Sequence, residues 1–426
     1  MAMTIPDGSA WGRLDRCVRS HENDLCALTE RLVAFPTPCP PGRNTEAIQG
    51  FLAELLRGWG AEVQTLPLYP GDLEVVARVP GRSGGRSLLI NGHVDVAATE
   101  PGEAWSHPPF APVRRDGRIY GRGTSDMKGG IAAALTAVQA VLEHGGPGGD
   151  IILHLVTGEE MGEGGTLLAL EHTPPAEFAL VPEPTAGDVS LGQGGVVTGW
   201  ITIQSPQTYH DAARRRMIHA GGGLDAASAI EKMTKVLIAL QELERHWAVV
   251  KSHPGFPPGT TTLNPSVIEG GRHPAFVADR CALWVTVHFY PGETAREVTA
   301  EIERTILAAA AADPWLHRNP PSFRWGGRSM IEDRGETFPA FETDPRHPGV
   351  DVLERAHRDV HGSSPNRRMS GGVCDAGWLA AHGIPSVIYG PGGREQAHTV
   401  NESVSAADLV ACARVYARVI DTWGSG

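Results

Sequence analysis

Between residues 21 and 58, apolar positions recur at helical spacing on both sides of a proline-rich break running from Phe35 to Pro41, which predicts helix, loop, helix. Short runs rich in β-branched residues follow, Glu62 to Leu66, Glu74 to Val79 and Ser87 to Ile90. A helical stretch, Ile131 to His144, then leads into a strand, Ile151 to Val156. Strand patterns alternating with helical ones predict an α/β fold with a central, mainly parallel sheet and helices on its faces. Near Gly192 the texture changes. From there the pattern predicts a strand, a helix (Leu224 to His246), strands (Asn264 to Glu269, Ala282 to Phe289), a helix (Thr294 to Ala312) and a strand (Ser322 to Trp325). A helix over Val350 to His361 and a strand over Pro385 to Tyr389 come last.

Composition narrows the class. The chain has 426 residues, 41% hydrophobic and 20% charged, enough for two domains with separate cores. No apolar stretch reaches eighteen residues, and Met1 to Trp11 has no basic run followed by an apolar one, so a cytoplasmic protein is expected. Six scattered cysteines form no CxxC pair and read as reduced thiols. A net charge of -12 excludes nucleic acid and an anionic membrane as natural partners. The run Arg214 to Arg216 is the local exception and reads as a solvated face.

Candidate chemistry lies where apolar runs give way to glycine-rich or polar segments: His93, Asp95, Asp126, Glu159, Glu160, Glu183 and His398. The run ending at Ile90 delivers His93, and the run ending at Val156 delivers Glu159 and Glu160. Both places lie just past carboxyl ends of strands, where open α/β sheets hold ligands. Asp95 can hold the second ring nitrogen of His93, while Asp126 in a glycine-rich segment could equally be a helix N-cap. Five ligand-type side chains with two spare carboxylates make the inventory of a two-metal hydrolytic site, which needs a bridging carboxylate, terminal ligands and a base. Because His398 must rejoin residues before Gly192, the middle unit reads as an insertion into a split catalytic domain: residues 1–191 and 328–426 around 192–327. The glycine-rich stretches Gly192 to Gly195 and Gly221 to Gly223 lack the spacing of a dinucleotide-binding turn.

The segments INGHVDV (Ile90 to Val96), DGRIYGRGTSDMKGG (Asp116 to Gly130), GEE (Gly158 to Glu160), PEP (Pro182 to Pro184) and AHTVNE (Ala397 to Glu402) resemble the co-catalytic zinc peptidase family. That family includes acetylornithine deacetylase, succinyl-diaminopimelate desuccinylase, aminoacylase and carboxypeptidase G. The resemblance implies a metal-dependent amidohydrolase, a deacylase, with two divalent ions. Zinc is expected, and cobalt, manganese or nickel suit the same ligands. It implies His93 and Glu183 on one ion, Glu160 and His398 on the other, Asp126 bridging, Glu159 as base and Asp95 orienting His93. It further implies a lid or dimerisation domain in the inserted unit, a homodimer or higher oligomer, and His219 as an oxyanion donor lent by the partner subunit.

Departures from the family pattern bear on substrate. Where amino-acid-specific relatives carry an arginine three residues before a Pro-Gly turn, this chain has His288; Asn264 is retained. An imidazole holds an α-carboxylate more weakly than a guanidinium, so a small N-acyl amine without that carboxylate is expected. An extra stretch, Ser205 to Met217, contains Tyr209 and His210 as further candidate contacts. This variant resembles a deacylase subgroup associated with N-formyl-aminopyrimidine deformylation. A dipeptidase, an aromatic-amine aminohydrolase or a non-catalytic metal-binding homologue are the alternatives; a binding module has no need of Glu159 or His219.

Overall fold

The computed structural model describes residues 9–212 and 226–426. They form two compact units, one of residues up to Gln193 together with Phe341–Gly426, the other Gly194–Ala340. The chain re-enters the first unit at Phe341, later than the expected 328. The reason is local pairing: Thr337–Phe338 bonds antiparallel to the strand Gly195–Gln204, which keeps this segment with the inserted unit.

The first unit is built on a nine-stranded sheet. Its strands run Phe341–Glu342, Val189–Gln193, Ser386–Ile388, Phe178–Val181, Gly85–His93, Gly149–Val156, Asp72–Val79, Glu62–Tyr69, with Arg367–Ser370 also paired to Val189–Gln193. The sheet is mixed rather than mainly parallel. Four adjacent strands, from Ser386–Ile388 to Gly149–Val156, run parallel to one another, and Arg367–Ser370 runs parallel to Val189–Gln193, while the other pairings are antiparallel. The strands Glu62–Tyr69 and Asp72–Val79 form a hairpin through Pro70 and Gly71, and such a hairpin must be antiparallel. Parallel strands buried on both faces need near-continuous apolar runs, which Leu88 to Ile90 and Phe178 to Val181 supply, as does Ile151 to Val156 apart from His154, whose Nε2 is hydrogen-bonded to Thr173. The helices Lys128–Glu143 and Ala406–Trp423 pack on each other in the core of this unit, where Ile131, Leu135, Val138, Leu409, Ala413, Tyr416 and Ile420 are all buried.

The inserted unit has an antiparallel sheet in the order Leu263–Gly270, Arg280–Phe289, Gly195–Gln204, Ser322–Trp325. Helices Ala229–Val250 and Ala295–Ala311 bury Met233, Trp247, Ile302 and Ile306 against Ile201, Leu283 and Val285. Asp313 ties this layer together. It caps the helix Pro314–Arg318 through the N–H groups of Trp315 and Leu316, and binds Lys232 Nζ at 2.7 Å. Burial opposes ionisation of Asp313, yet Lys232 and the two N–H donors hold it below the usual carboxylate range. A depressed carboxyl stabilises the folded state above its unfolded pKa and ceases to as pH falls through the folded value. Asp313→Ala is therefore expected to lower stability by about 1–2 kcal/mol at neutral pH, and by less in acid. Denaturant midpoints at pH 7 and at strongly acidic pH check this.

Candidate metal centre

Three of the parallel strands bring candidate side chains to their carboxyl ends: His93 on Gly85–His93, Glu159 and Glu160 after Gly149–Val156, and Glu183 after Phe178–Val181. His93 closes the strand Gly85–His93 and is 1% exposed. Its Nδ1 donates to the carbonyl oxygen of Asp95 at 3.0 Å. A carbonyl can only accept, so the proton sits on Nδ1 and the lone pair of the neutral ring is on Nε2. That Nε2 is buried without a hydrogen-bond partner. Around it stand Asp126 Oδ1 at 3.3 Å, Glu183 Oε1 at 3.4 Å and Glu159 Oε2 at 3.8 Å. An imidazole lone pair facing three carboxylates is an arrangement that a cation between them would satisfy.

Asp126 follows the glycine-rich turn before the helix Lys128–Glu143, and its other oxygen, Oδ2, faces His398 Nε2 at 3.4 Å. Glu160 Oε2 meets the same nitrogen at 2.8 Å, while Glu160 Oε1 accepts from the backbone of Ala97. Two triads result, His93–Asp126–Glu183 and Asp126–Glu160–His398, with Asp126 common to both. Their closeness depends on Gly130. A Cβ there would lie 2.1 Å from the carbonyl oxygen of Pro182, so only glycine lets the helix carrying Asp126 approach the strand end carrying Glu183.

The electrostatics show the same demand for positive charge. Burial opposes protonation of His93, but Asp126, Glu183 and Glu159 outweigh it and raise its pKa well above the usual imidazole value. Asp126 and Glu160 raise His398 to about 10. Burial pushes Glu160 up to about 7 and Glu159 well above the usual range. Four carboxylates, Asp126, Glu159, Glu160 and Glu183, thus crowd around two imidazoles. Two divalent cations would balance the four carboxylate charges, so the donor set fits a metal pair.

The expected orienting role of Asp95 takes a different form. Its backbone carbonyl, not its carboxylate, holds His93; the carboxylate lies at 3.7 Å from Nδ1. Instead that carboxylate accepts from the backbone N–H of Gly158 at 2.7 Å and of Glu160 at 3.1 Å, fixing the Glu159–Glu160 turn. Asp95→Asn would turn an amide donor toward one of these N–H groups. Metal retention is expected to weaken by about 10–100-fold, measured by competition with a chelator.

Two further residues escape the sequence reading. Glu402, fully buried, accepts from the backbone N–H of Gly123, Ser125 and Asp126 and from Arg122 Nη1 at 2.9 Å. Arg122 also donates to the carbonyl oxygens of His398 and Thr399. The pair fastens the Asp126 turn to the His398 segment. Asp375, buried and raised to about 7 by that burial, accepts from Thr166, which in turn accepts from Asn91 on the His93 strand. The signal for Glu402 is its place in AHTVNE; for Asp375 it is an acid three residues beyond the glycine pair Gly371–Gly372.

The candidate substrate contacts belong to the inserted unit. Asn264 and His288 lie exposed on adjacent strands, and the crowding of neighbouring chain lowers the His288 pKa. Tyr209 donates to Gln207, and His210 sets its ring edge-on to Phe276 at 5.8 Å. Their segment bonds to residues 275–279 through Ser205, Tyr209 and Asp211. His219 and Arg214 to Met217 lie outside the described residues.

Residues 89–422 match the family model described as Peptidase family M20/M25/M40. A curated protein from Bacillus subtilis, N-formyl-4-amino-5-aminomethyl-2-methylpyrimidine deformylase, is 50% identical, covering 97% of each chain. Succinyl-diaminopimelate desuccinylase from Nitrosospira multiformis is 29% identical over 92% of this chain and 97% of its own. Among solved structures, a dinuclear metal-binding peptidase of the same family from Bacillus subtilis superposes with a TM-score of 0.63 at 15% identity, covering 94% of this chain and 98% of its own. The chain belongs to the peptidase family M20/M25/M40 and is a hydrolase of amide carbon–nitrogen bonds.

Proposed function

We propose that this protein removes the formyl group from a small N-formylated aminopyrimidine, at two divalent ions held by His93, Asp126, Glu160, Glu183 and His398. Asp126 carries the two-ion reading: its oxygens face two different histidines, each with a further carboxylate of its own. The formamide is supported by the substrate in the name of the 50% identical relative, and by His288 where a carboxylate-gripping guanidinium would otherwise stand. Zinc suits the mixed nitrogen and oxygen ligands, and cobalt, manganese or nickel would need no change of residue.

Bound there, the ions would polarise the amide carbonyl and make the attacking water more acidic. Glu159, whose carboxylate accepts no hydrogen bond among the described residues, takes a proton from that water as its oxygen bonds to the formyl carbon. It returns the proton to the nitrogen as the carbon–nitrogen bond breaks, leaving formate and the free amine. Asp95 holds the Glu159–Glu160 turn in place, and Arg122 with Glu402 holds His398. His219, from a partner subunit, would steady the oxyanion, with Asn264, His288, Tyr209 and His210 around the amine. The inserted unit would serve as lid and dimerisation domain. Helix Ala229–Val250 and the edge strand Leu263–Gly270 leave Ile238, Val249, Val267 and Ile268 exposed, apolar surface suited to a second copy in a cytoplasmic homodimer. No described helix is long and apolar enough to cross a membrane.

Formate release tests the reading. The metal-loaded protein should turn over N-formyl-4-amino-5-aminomethyl-2-methylpyrimidine faster than N-succinyl-diaminopimelate or N-acetylornithine, and chelation should abolish all turnover. Preference for the carboxylate-bearing substrates would overturn the assignment of substrate while leaving the metal site standing.

A further inference from the structure

A second group of ligand-type side chains lies away from this centre, on the first unit. Cys17 sits in the helix Ala10–Ser20, His21 at its C-terminal end, and Glu143 closes the helix Lys128–Glu143. His21 Nε2 is 2.8 Å from Glu143 Oε2, and Cys17 Sγ is 3.4 Å from the same oxygen. All three ligand atoms fall within 4.8 Å of one another. Cys17 and His21 are four residues apart, the spacing that places two side chains on one helical face. His21 Nδ1 is 3.3 Å from Asp24 Oδ2, a partner of the kind that orients a metal-binding imidazole.

From these positions we infer a third metal site, formed by Cys17, His21 and Glu143, that takes a borderline-soft divalent ion such as zinc. Tetrahedral zinc with sulfur, nitrogen and oxygen ligands sets those atoms roughly 3.3–3.6 Å apart, so the group must open only slightly at the His21–Glu143 contact. A thiolate distinguishes this site from the catalytic centre, whose donors are all nitrogen and oxygen, and biases it toward softer ions. Its fourth position faces solvent, since Glu143 is exposed, and a water would complete the shell. Ligation would pin the first described helix to the helix that begins two residues after Asp126.

Cobalt makes the test specific, because thiolate ligation gives a near-ultraviolet charge-transfer band that nitrogen and oxygen ligands do not. The full-length protein is equilibrated with micromolar Co²⁺, and bound metal per chain and the near-ultraviolet spectrum are recorded. Cys17→Ser and His21→Gln should each lower the count by one ion and remove the band. Cys374→Ser, beside the catalytic centre, should leave both unchanged. A wild-type protein without the band, a band that survives Cys17→Ser, or one that appears only at millimolar Co²⁺ would overturn the site. The difference between wild type and Cys17→Ser reads this site alone, whatever the catalytic centre holds.

Discussion

Replacing Glu159 by Gln should leave metal content unchanged and lower turnover by about 10²–10⁴-fold, the range that a positioned general base contributes. Glu159 is the one carboxylate of the cluster outside both triads; its nearest oxygen stands 3.8 Å from His93 Nε2, farther than those of Asp126 and Glu183. The amide of glutamine is isosteric, so the turn held by Asp95 survives while the ability to accept a proton is lost. Metal analysis and steady-state kinetics on the same preparation decide the matter. Loss of metal together with activity would make Glu159 a ligand, and retained turnover would remove it from the chemistry.

Glu402→Ala should produce the largest loss of stability, roughly 3–5 kcal/mol in the metal-free protein, because it leaves the Arg122 guanidinium buried without its counter-charge. Three backbone N–H groups of the turn before Asp126 lose their acceptor in the same stroke. The consequence extends to His398, whose φ of +61° lies in the left-handed region that a residue with a Cβ adopts at a cost. Its carbonyl is anchored by Arg122, and once that arginine is freed the segment can relax and carry the ring away from Asp126 and Glu160. Denaturant titration should show the lowered midpoint. Equilibrium dialysis should show the Asp126–Glu160–His398 ion lost before the other. Glu402→Gln, which keeps an acceptor, should lose less on both measures.

The buried strands are legible in the sequence because a strand covered on both faces is apolar almost throughout; Leu88 to Ile90, and Ile151 to Val156 despite His154, fix where His93 and Glu160 emerge. The five proposed ligands could be listed from the chain, and the structure gathers them. What could not be read was partnership across long separations. Nothing in the neighbourhood of Glu402 reveals that its acid meets an arginine 280 residues earlier. The direction of the Asp95 carboxylate depends on a turn from another strand, so His93 looked like its partner by proximity in sequence. The sheet is less parallel than the pattern suggests because Pro70 and Gly71 make a tight turn that forces the flanking strands antiparallel. The return at Phe341 was missed because residues 328 to 340 carry no period, and a two-residue strand, Thr337–Phe338, decides their allegiance.

The strand Ser386–Ile388 lies inside the sheet, flanked by Phe178–Val181 and Val189–Gln193, although it comes far later in the sequence than either. During translation those neighbours leave the ribosome some two hundred residues before the strand that joins them. A nascent chain therefore exposes an unfilled slot in its sheet, with His93, Asp126, Glu160 and Glu183 made but His398 still unsynthesised. A product truncated before Ser386 would lack both that inner strand and the histidine of the Asp126–Glu160–His398 triad.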